Sequence, residues 1–390
     1  MDSMLARHND GNGPRLAKSR ILNMSTGPVE VSRAVLDAQL IPILTPHLES
    51  FWAVHDQTIT LLKRILRTSD DVVLTHGSIR SGLDVALGNF IIPGFKVLCL
   101  ENGFWGRMLG DWAENWGAQV TRLSFDELSP IDTDAVAKLL AEQSFDMVMI
   151  VHVETNAGIV NPVARVGEFL KGTQTLYFVD TACSAGALPV ETDAWGIDIS
   201  VTGSHKCLAS IPGLAIITLS KKARALMPKG LMGNYYNIEA LIRNTIERPV
   251  TPPFTQAASL VHALKQALTE IDDFGIENWW GYHHQIASRF RQSLRQAGFQ
   301  ILLDHGPVSG DETYYSDSVI AVGYPEGVDD EKFRSTLMTE YGMFVIGNVG
   351  KYSGKSFRVG LMSPPQLEAI NLYGTLAVLE ASAKSNGDNA

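Results

Sequence analysis

Two short apolar runs, each ending on a residue with usable chemistry, constrain this chain more than any other feature. Residues 176–179 (LYFV) stop at Asp180, and residues 197–202 (IDISVT) stop at Gly203-Ser204-His205-Lys206. Runs of that length, bounded by polar or small residues, read as strands buried in a parallel sheet. Ligands of such sheets sit at the carboxyl ends of the strands. A carboxylate and an amine delivered to that edge suit a cofactor with a pyridine nitrogen and an aldehyde, namely pyridoxal 5'-phosphate. The acid keeps the ring nitrogen protonated, and the lysine forms a Schiff base. Taken singly, Asp180 reads as a turn cap and Lys206 as a solvated loop lysine. Taken together, with Pro212-Gly213 close behind, they read as a cofactor site.

Strand and helix patterns alternate from residue 72 to 220, which predicts an α/β unit with a mostly parallel sheet. Expected strands are 72–75, 96–100, 119–123, 147–153 and 176–180, with a returning strand at 214–219 after the lysine. Apolar residues recur at helical spacing over 51–66, 83–90, 107–116, 133–142 and 166–171. Thr251-Pro252-Pro253 is a rigid break. Beyond it a long helical pattern covers 256–297, followed by short strands and helices of an α+β unit. The expected division is an N-terminal arm over 1–20, a large domain over 21–255 and a small domain over 256–390.

Several segments would place polar groups at strand ends. Residues 76–82 (HGSIRSG) join a strand to a helix, where free N–H groups and the helix dipole favour a phosphate. Ser78 adds a hydroxyl there and Arg80 a charge, although a plain connection fits equally well. In NGFWG, Trp105 is placed to lie flat on a planar cofactor, whereas Trp52, Trp112, Trp116 and Trp195 read as core. In ETNAG, Asn156 could bond a phenolic oxygen and Glu154 could buttress the loop. Gly27-Pro28 is a turn that can bring backbone to a ligand, so Thr26 and Gly27 are candidate substrate contacts. Arg358 stands in a strand between apolar neighbours, a costly place unless it meets an anion. Either a structural carboxylate or a substrate carboxylate would serve.

The composition narrows the remaining choices. A chain of 390 residues exceeds one core of usual size. A net charge of −10 argues against a nucleic-acid partner bound through a basic face. Three cysteines without CxxC spacing argue against a disulfide framework or a metal site. With no apolar run of membrane length, the expected setting is the cytoplasm.

The motifs GPV at 27–29, HGS, NGFWG, HVETNAGIVNP, VDTACSAGALP, GSHKCL, IPG and FRVGL together resemble class V aminotransferases of pyridoxal-phosphate fold type I. The resemblance spans nearly all of 22–379 and is closest to the alanine–glyoxylate / serine–pyruvate branch. It implies a large domain with a mostly parallel, seven-stranded sheet and a smaller C-terminal domain. It implies Lys206 as the Schiff-base lysine and proton carrier, Asp180 on the pyridine nitrogen and Trp105 on the ring. Asn156 would stand near the phenolic oxygen. Ser78, Ile79 and Arg80 occupy the place of a Ser-Gly-His phosphate turn, and His205 that of a Gln or Asn near the phosphate. Arg248 stands where relatives often have a phosphate-binding tyrosine. Thr251 matches a residue reaching the phosphate from a partner subunit, which implies a homodimer. Arg358 matches the arginine that takes a substrate carboxylate. The implied reaction is ping-pong transfer of an amino group from a small amino acid to a small 2-keto acid. Pyridoxamine–pyruvate aminotransferases are cousins whose phosphate turn carries a carboxylate where this chain has Ser78. A lyase or desulfurase on the same fold is the other alternative.

Overall fold

The computed structural model describes residues 21–230, 232–233, 235–247 and 255–387. Arg248, Thr251 and the arm expected over 1–20 lie outside the described residues.

The chain enters through β1 (Leu22–Asn23), then α1 (Arg33–Ala38) and α2 (Glu49–Ile65). Next come β2 (Asp71–Gly77), α3 (Ile79–Phe90), β3 (Lys96–Glu101), α4 (Phe104–Asn115), β4 (Gln119–Ser124) and α5 (Thr133–Glu142). The run continues with β5 (Met147–Val151), a small hairpin of β6 (Val153–Glu154) and β7 (Ile159–Val160), α6 (Val163–Leu170), β8 (Leu176–Asp180), β9 (Ile199–Gly203) and β10 (Gly213–Leu219).

Seven of these strands form one sheet in the order β2-β10-β9-β8-β5-β3-β4. All neighbours are parallel except β10, which runs antiparallel to both β2 and β9. The strands are near-continuous apolar runs because both faces are covered. In β5, Val148 and Ile150 point into the cluster that includes Leu61, Leu62 and Ile65 of α2. Met147, Met149 and Val151 point the other way, with Leu83 of α3 and Leu109 of α4. The carboxyl ends of β5, β8 and β9 therefore bring Val151, Asp180 and Gly203 to one edge. Gly213, at the start of β10, pairs with Gly77 and closes that edge.

The connector holds α7 (Lys221–Leu226) and α8 (Ile238–Ile242). The long helix expected over 256–297 is two helices, α9 (Ala258–Phe274) and α10 (Ile276–Gln296). Gly275 between them has φ +82°, a conformation a helix interior excludes and glycine adopts without a Cβ clash. After α10 come β11 (Gln300–Ile301), β12 (Val319–Gly323), α11 (Asp330–Thr336), β13 (Met343–Phe344), β14 (Ile346–Gly347), β15 (Ser356–Gly360), α12 (Pro364–Leu367) and α13 (Ala369–Gly387). A second, antiparallel sheet runs β11-β12-β15-β14.

The N-terminal segment connects the two sheets. β1 pairs in parallel with β13. The Gly360 N–H donates to Met24 O at 2.7 Å, and the Val29 N–H donates to His205 O at 3.2 Å. Residues 22–29 thus run from the second sheet onto the turn that carries Lys206. Of the four tryptophans expected in the core, Trp52, Trp112, Trp116 and Trp195 are only half-buried. Trp116, for one, keeps its ring N–H on the Asp84 carboxylate at 2.9 Å.

Candidate active site

The carboxyl edge of the main sheet opens into a cavity of about 200 Å³. Ser78, Ile79, Arg80, Leu83, Trp105, Val151, Val153, Thr155, Asp180, Ala182, Cys183, His205 and Lys206 line it. The acid and the amine that the sequence singles out therefore share one enclosure.

Asp180 ends β8 and is 4% exposed. One carboxylate oxygen accepts the Ala182 N–H at 2.8 Å. Burial pushes its pKa up to about 6, against that N–H and the Lys206 charge. Such a carboxylate is short of cationic partners, and a protonated pyridine nitrogen would supply one. Lys206 follows β9 through Ser204 and His205, and its Nζ donates to Thr26 O. Gly27 has φ +110°, and a Cβ there would lie 2.6 Å from Lys206 Cδ and 3.0 Å from Nζ. The Gly27 backbone is thus a wall against the lysine side chain, and Thr26 and Gly27 reach the site as backbone.

Trp105 lies in the first turn of α4, not in a loop before the helix as expected. Its ring N–H donates to Thr155 Oγ1 at 2.7 Å. The Arg80 guanidinium sits 5.2 Å from the indole centroid. Ser78 is the N-cap of α3, and its hydroxyl makes no capping bond to the helix. The turn therefore offers a free hydroxyl, helix N–H groups and a nearby cation to an anion. Ile79 is packed against Gly203, where a Cβ would meet Ile79 Cγ1 at 2.3 Å. His205 Nδ1 is buried without a hydrogen-bond partner, and burial followed by the Lys206 charge lowers the imidazole to about 4. At neutral pH His205 is an uncharged hydrogen-bonding group.

Arg358 comes from β15 of the second sheet and is 4% exposed. Among the described residues it has no carboxylate partner. Nη1 donates to Thr155 Oγ1 at 3.2 Å and Nη2 to Gly347 O at 3.0 Å, while Nε is buried without a partner. Burial lowers its pKa from the ordinary value. Among the described residues no carboxylate lies within ion-pair distance of it, and the buried Glu154 acts on it only through its field.

Asn156 is placed differently from the expectation. It does not line the cavity; its side-chain amide donates to Val349 O at 3.3 Å, its backbone carbonyl accepts from the Asn348 side chain at 2.7 Å, and its Oδ1 is buried without a partner. Thr155 is the residue that faces the cavity, and sequence reasoning passed over it. The signal was present: Val151, Val153 and Thr155 alternate, and all three line the space. Cys183 also lines it, but burial raises its pKa, which disfavours a thiolate nucleophile.

These features fit pyridoxal phosphate. A buried carboxylate and an amine face one cavity beside an indole, and an orphaned imidazole nitrogen and a helix N-terminus lie at its border. Among the described residues no cluster of three or more His, Cys, Asp or Glu could hold a metal ion, and no helix is long and apolar enough to cross a membrane.

Comparison with known proteins agrees. The class-V aminotransferase family profile matches residues 49–347. An uncharacterized aminotransferase of Methanocaldococcus jannaschii is 33% identical over 94% of this chain and 93% of its own length. A pyridoxamine–pyruvate transaminase of Mesorhizobium japonicum is 26% identical over 88% of this chain and 87% of its own. The crystal structure of ureidoglycine–glyoxylate aminotransferase from Bacillus subtilis superposes with a TM-score of 0.89 at 25% identity, covering 96% of this chain and 95% of that one. The chain belongs to the class-V aminotransferases, pyridoxal-phosphate-dependent enzymes of fold type I.

Proposed function

We propose that this protein transfers the amino group of a small amino acid, of alanine or serine type, to glyoxylate or pyruvate by a ping-pong mechanism. The observation that carries the reading is Arg358, a buried guanidinium without a carboxylate partner among the described residues, in the same hydrogen-bonded group as the cavity-lining Thr155. Relatives named for glyoxylate and for pyruvate support the choice of acceptor.

Asp180 and Lys206 would hold the cofactor ring, with Trp105 against its face. Ser78, the Ile79 and Arg80 backbone, and His205 would hold its phosphate. Arg248 and Thr251 keep the phosphate roles that the resemblance implies. When bound, pyridoxal phosphate supplies a carbonyl that accepts and returns the amino group and a ring that withdraws electrons. Arg358 grips the substrate carboxylate through two parallel hydrogen bonds. Lys206 Nζ, which shares the cavity with Asp180 and Trp105, would take and return the Cα proton. Buried Asp180 stays ionised against the ring nitrogen. Asn156, set back from the cavity, would act on the phenolic oxygen only through the loop it buttresses.

A homodimer completes this reading. Leu40 and Ile43 are 77% and 81% exposed, with Ile41 and Leu48 beside them in the same connector. A second copy would cover them and could bring its own Thr251 to the phosphate. A large domain through residue 255 and a small one after it would each hold one of the two sheets. The cytoplasmic setting rests on three unpaired, buried cysteines.

The test is a half-reaction. Purified holoenzyme mixed with alanine or serine, without acceptor, should yield one equivalent of keto acid per site and stop. Continued release of keto acid with ammonia from serine would point to a lyase, and release of alanine and sulfide from cysteine in the presence of a thiol reductant would point to a desulfurase. Turnover with free pyridoxamine and pyruvate, without bound phosphate cofactor, would point to the cousin activity.

A further inference from the structure

Glu154 is fully buried, and no step above uses it. Its Oε2 accepts two backbone N–H groups, Trp105 at 2.9 Å and Gly106 at 3.2 Å. These are first-turn donors of α4, which the helix itself cannot satisfy. The side chain fills the space beside Gly103, where a Cβ would lie 2.1 Å from Glu154 Cγ and 2.3 Å from Cδ. The next residue, Thr155, takes the indole N–H of the same tryptophan. Two consecutive residues therefore grip Trp105 at its backbone and at its ring.

We propose that Glu154 is a positioning residue, whose side-chain oxygen fixes the Trp105-Gly106 backbone and so sets the indole against the cofactor ring. This rests on the reading of Trp105 as the residue that lies on the cofactor. Only an acceptor oxygen is needed. Oε1 is buried with no partner, so a proton there leaves both bonds to Oε2 intact. Glutamine presents the same acceptor and should substitute. A residue that moved a proton in the reaction would not tolerate that change.

Two measurements test this. The first is hydrogen exchange at the Trp105 and Gly106 amides in cofactor-free protein. Glu154→Ala should accelerate it at least about tenfold, and Glu154→Gln should change it by less than about threefold. Gly103→Ala, which expels the carboxylate from the other side, should match Glu154→Ala. The second is the Kd for pyridoxal phosphate, read by the part of tryptophan quenching lost in Trp105→Phe. Glu154→Ala and Gly103→Ala should raise Kd about tenfold or more, with Glu154→Gln near the parent. Unchanged exchange in a folded Glu154→Ala, or a Glu154→Gln as impaired as the alanine variant, overturns the proposal. Should Glu154→Ala not fold, Gly103→Ala and Glu154→Gln decide it by the same criteria. A parent that fails to bind pyridoxal phosphate would defeat the cofactor reading, while the exchange experiment would still judge the clamp.

Discussion

Arg358 and Asp180 carry opposite problems of burial. The guanidinium spends its N–H groups on a hydroxyl and a carbonyl, neither of which neutralises it. An arriving carboxylate does so with charge-assisted bonds worth about 1.5–3 kcal/mol each. Arg358→Leu should therefore lower kcat/KM for the amino donor about a hundredfold or more, while leaving the Kd for pyridoxal phosphate nearly unchanged. Steady-state kinetics with a cofactor titration checks both. Asp180 and Glu154 are raised to about 6 and about 7 by burial. Between the unfolded carboxylate range and those values the native state holds protons that the unfolded chain has released. Their contribution to stability is therefore lost as pH rises through that interval. In cofactor-free protein, thermal unfolding at about pH 5 and about pH 7.5 should show a smaller loss for Asp180→Asn and Glu154→Gln than for the parent. An equal loss would contradict the burial argument. At this scale the sequence was legible wherever a strand ended on its reactive residue, as at Asp180, or just before it, as at Lys206. The period-two alternation from Val151 through Val153 also points to Thr155, which stands in the cavity beside the segment that carries Asn156.

The elements were legible where both faces of a strand are buried, since unbroken apolar runs leave little choice. β8 coincides with its expected span, and β9 starts two residues later and ends one residue later than expected. α4 was harder to bound. Its first turn contains the Phe-Trp-Gly that reads as loop, and the carboxylate that satisfies its N–H groups comes from Glu154, far away in sequence. The α9–α10 break was hidden because the apolar spacing continues across it and one glycine makes the turn. Gly275→Ala should cost about 1 kcal/mol, seen as a lower midpoint in denaturant unfolding, because a side chain is strained at φ +82°. Gly360→Ala should cost more. A Cβ there would lie 2.2 Å from Ser25 O. It would push the strand-like segment 22–26 off β15 at about 1–3 kcal/mol and take Thr26 O away from Lys206. Heat denaturation measures the first effect, and the yield of borohydride-fixed pyridoxyl label on Lys206 in the two proteins reports the second.

In the whole molecule the site is a meeting of three pieces: the edge of the main sheet, one strand of the second sheet, and the N-terminal segment that crosses between them. Local sequence patterns described each piece. Their convergence was legible only through the family resemblance, because the contacts join residues such as Thr26 and Lys206, or Thr155 and Arg358, that lie far apart in the chain. The exposed Leu40 and Ile43 belong to this scale too. Sedimentation should give a dimer, and Leu40→Asp with Ile43→Asp should shift it toward monomer. The account depends most on Lys206 sharing a cavity with Asp180 and Trp105. Borohydride reduction of the protein with pyridoxal phosphate, followed by peptide mass mapping, tests that directly. The pyridoxyl label should fall on Lys206 in near-stoichiometric amount. A label on another lysine, or none in protein that retains its fold, would contradict it.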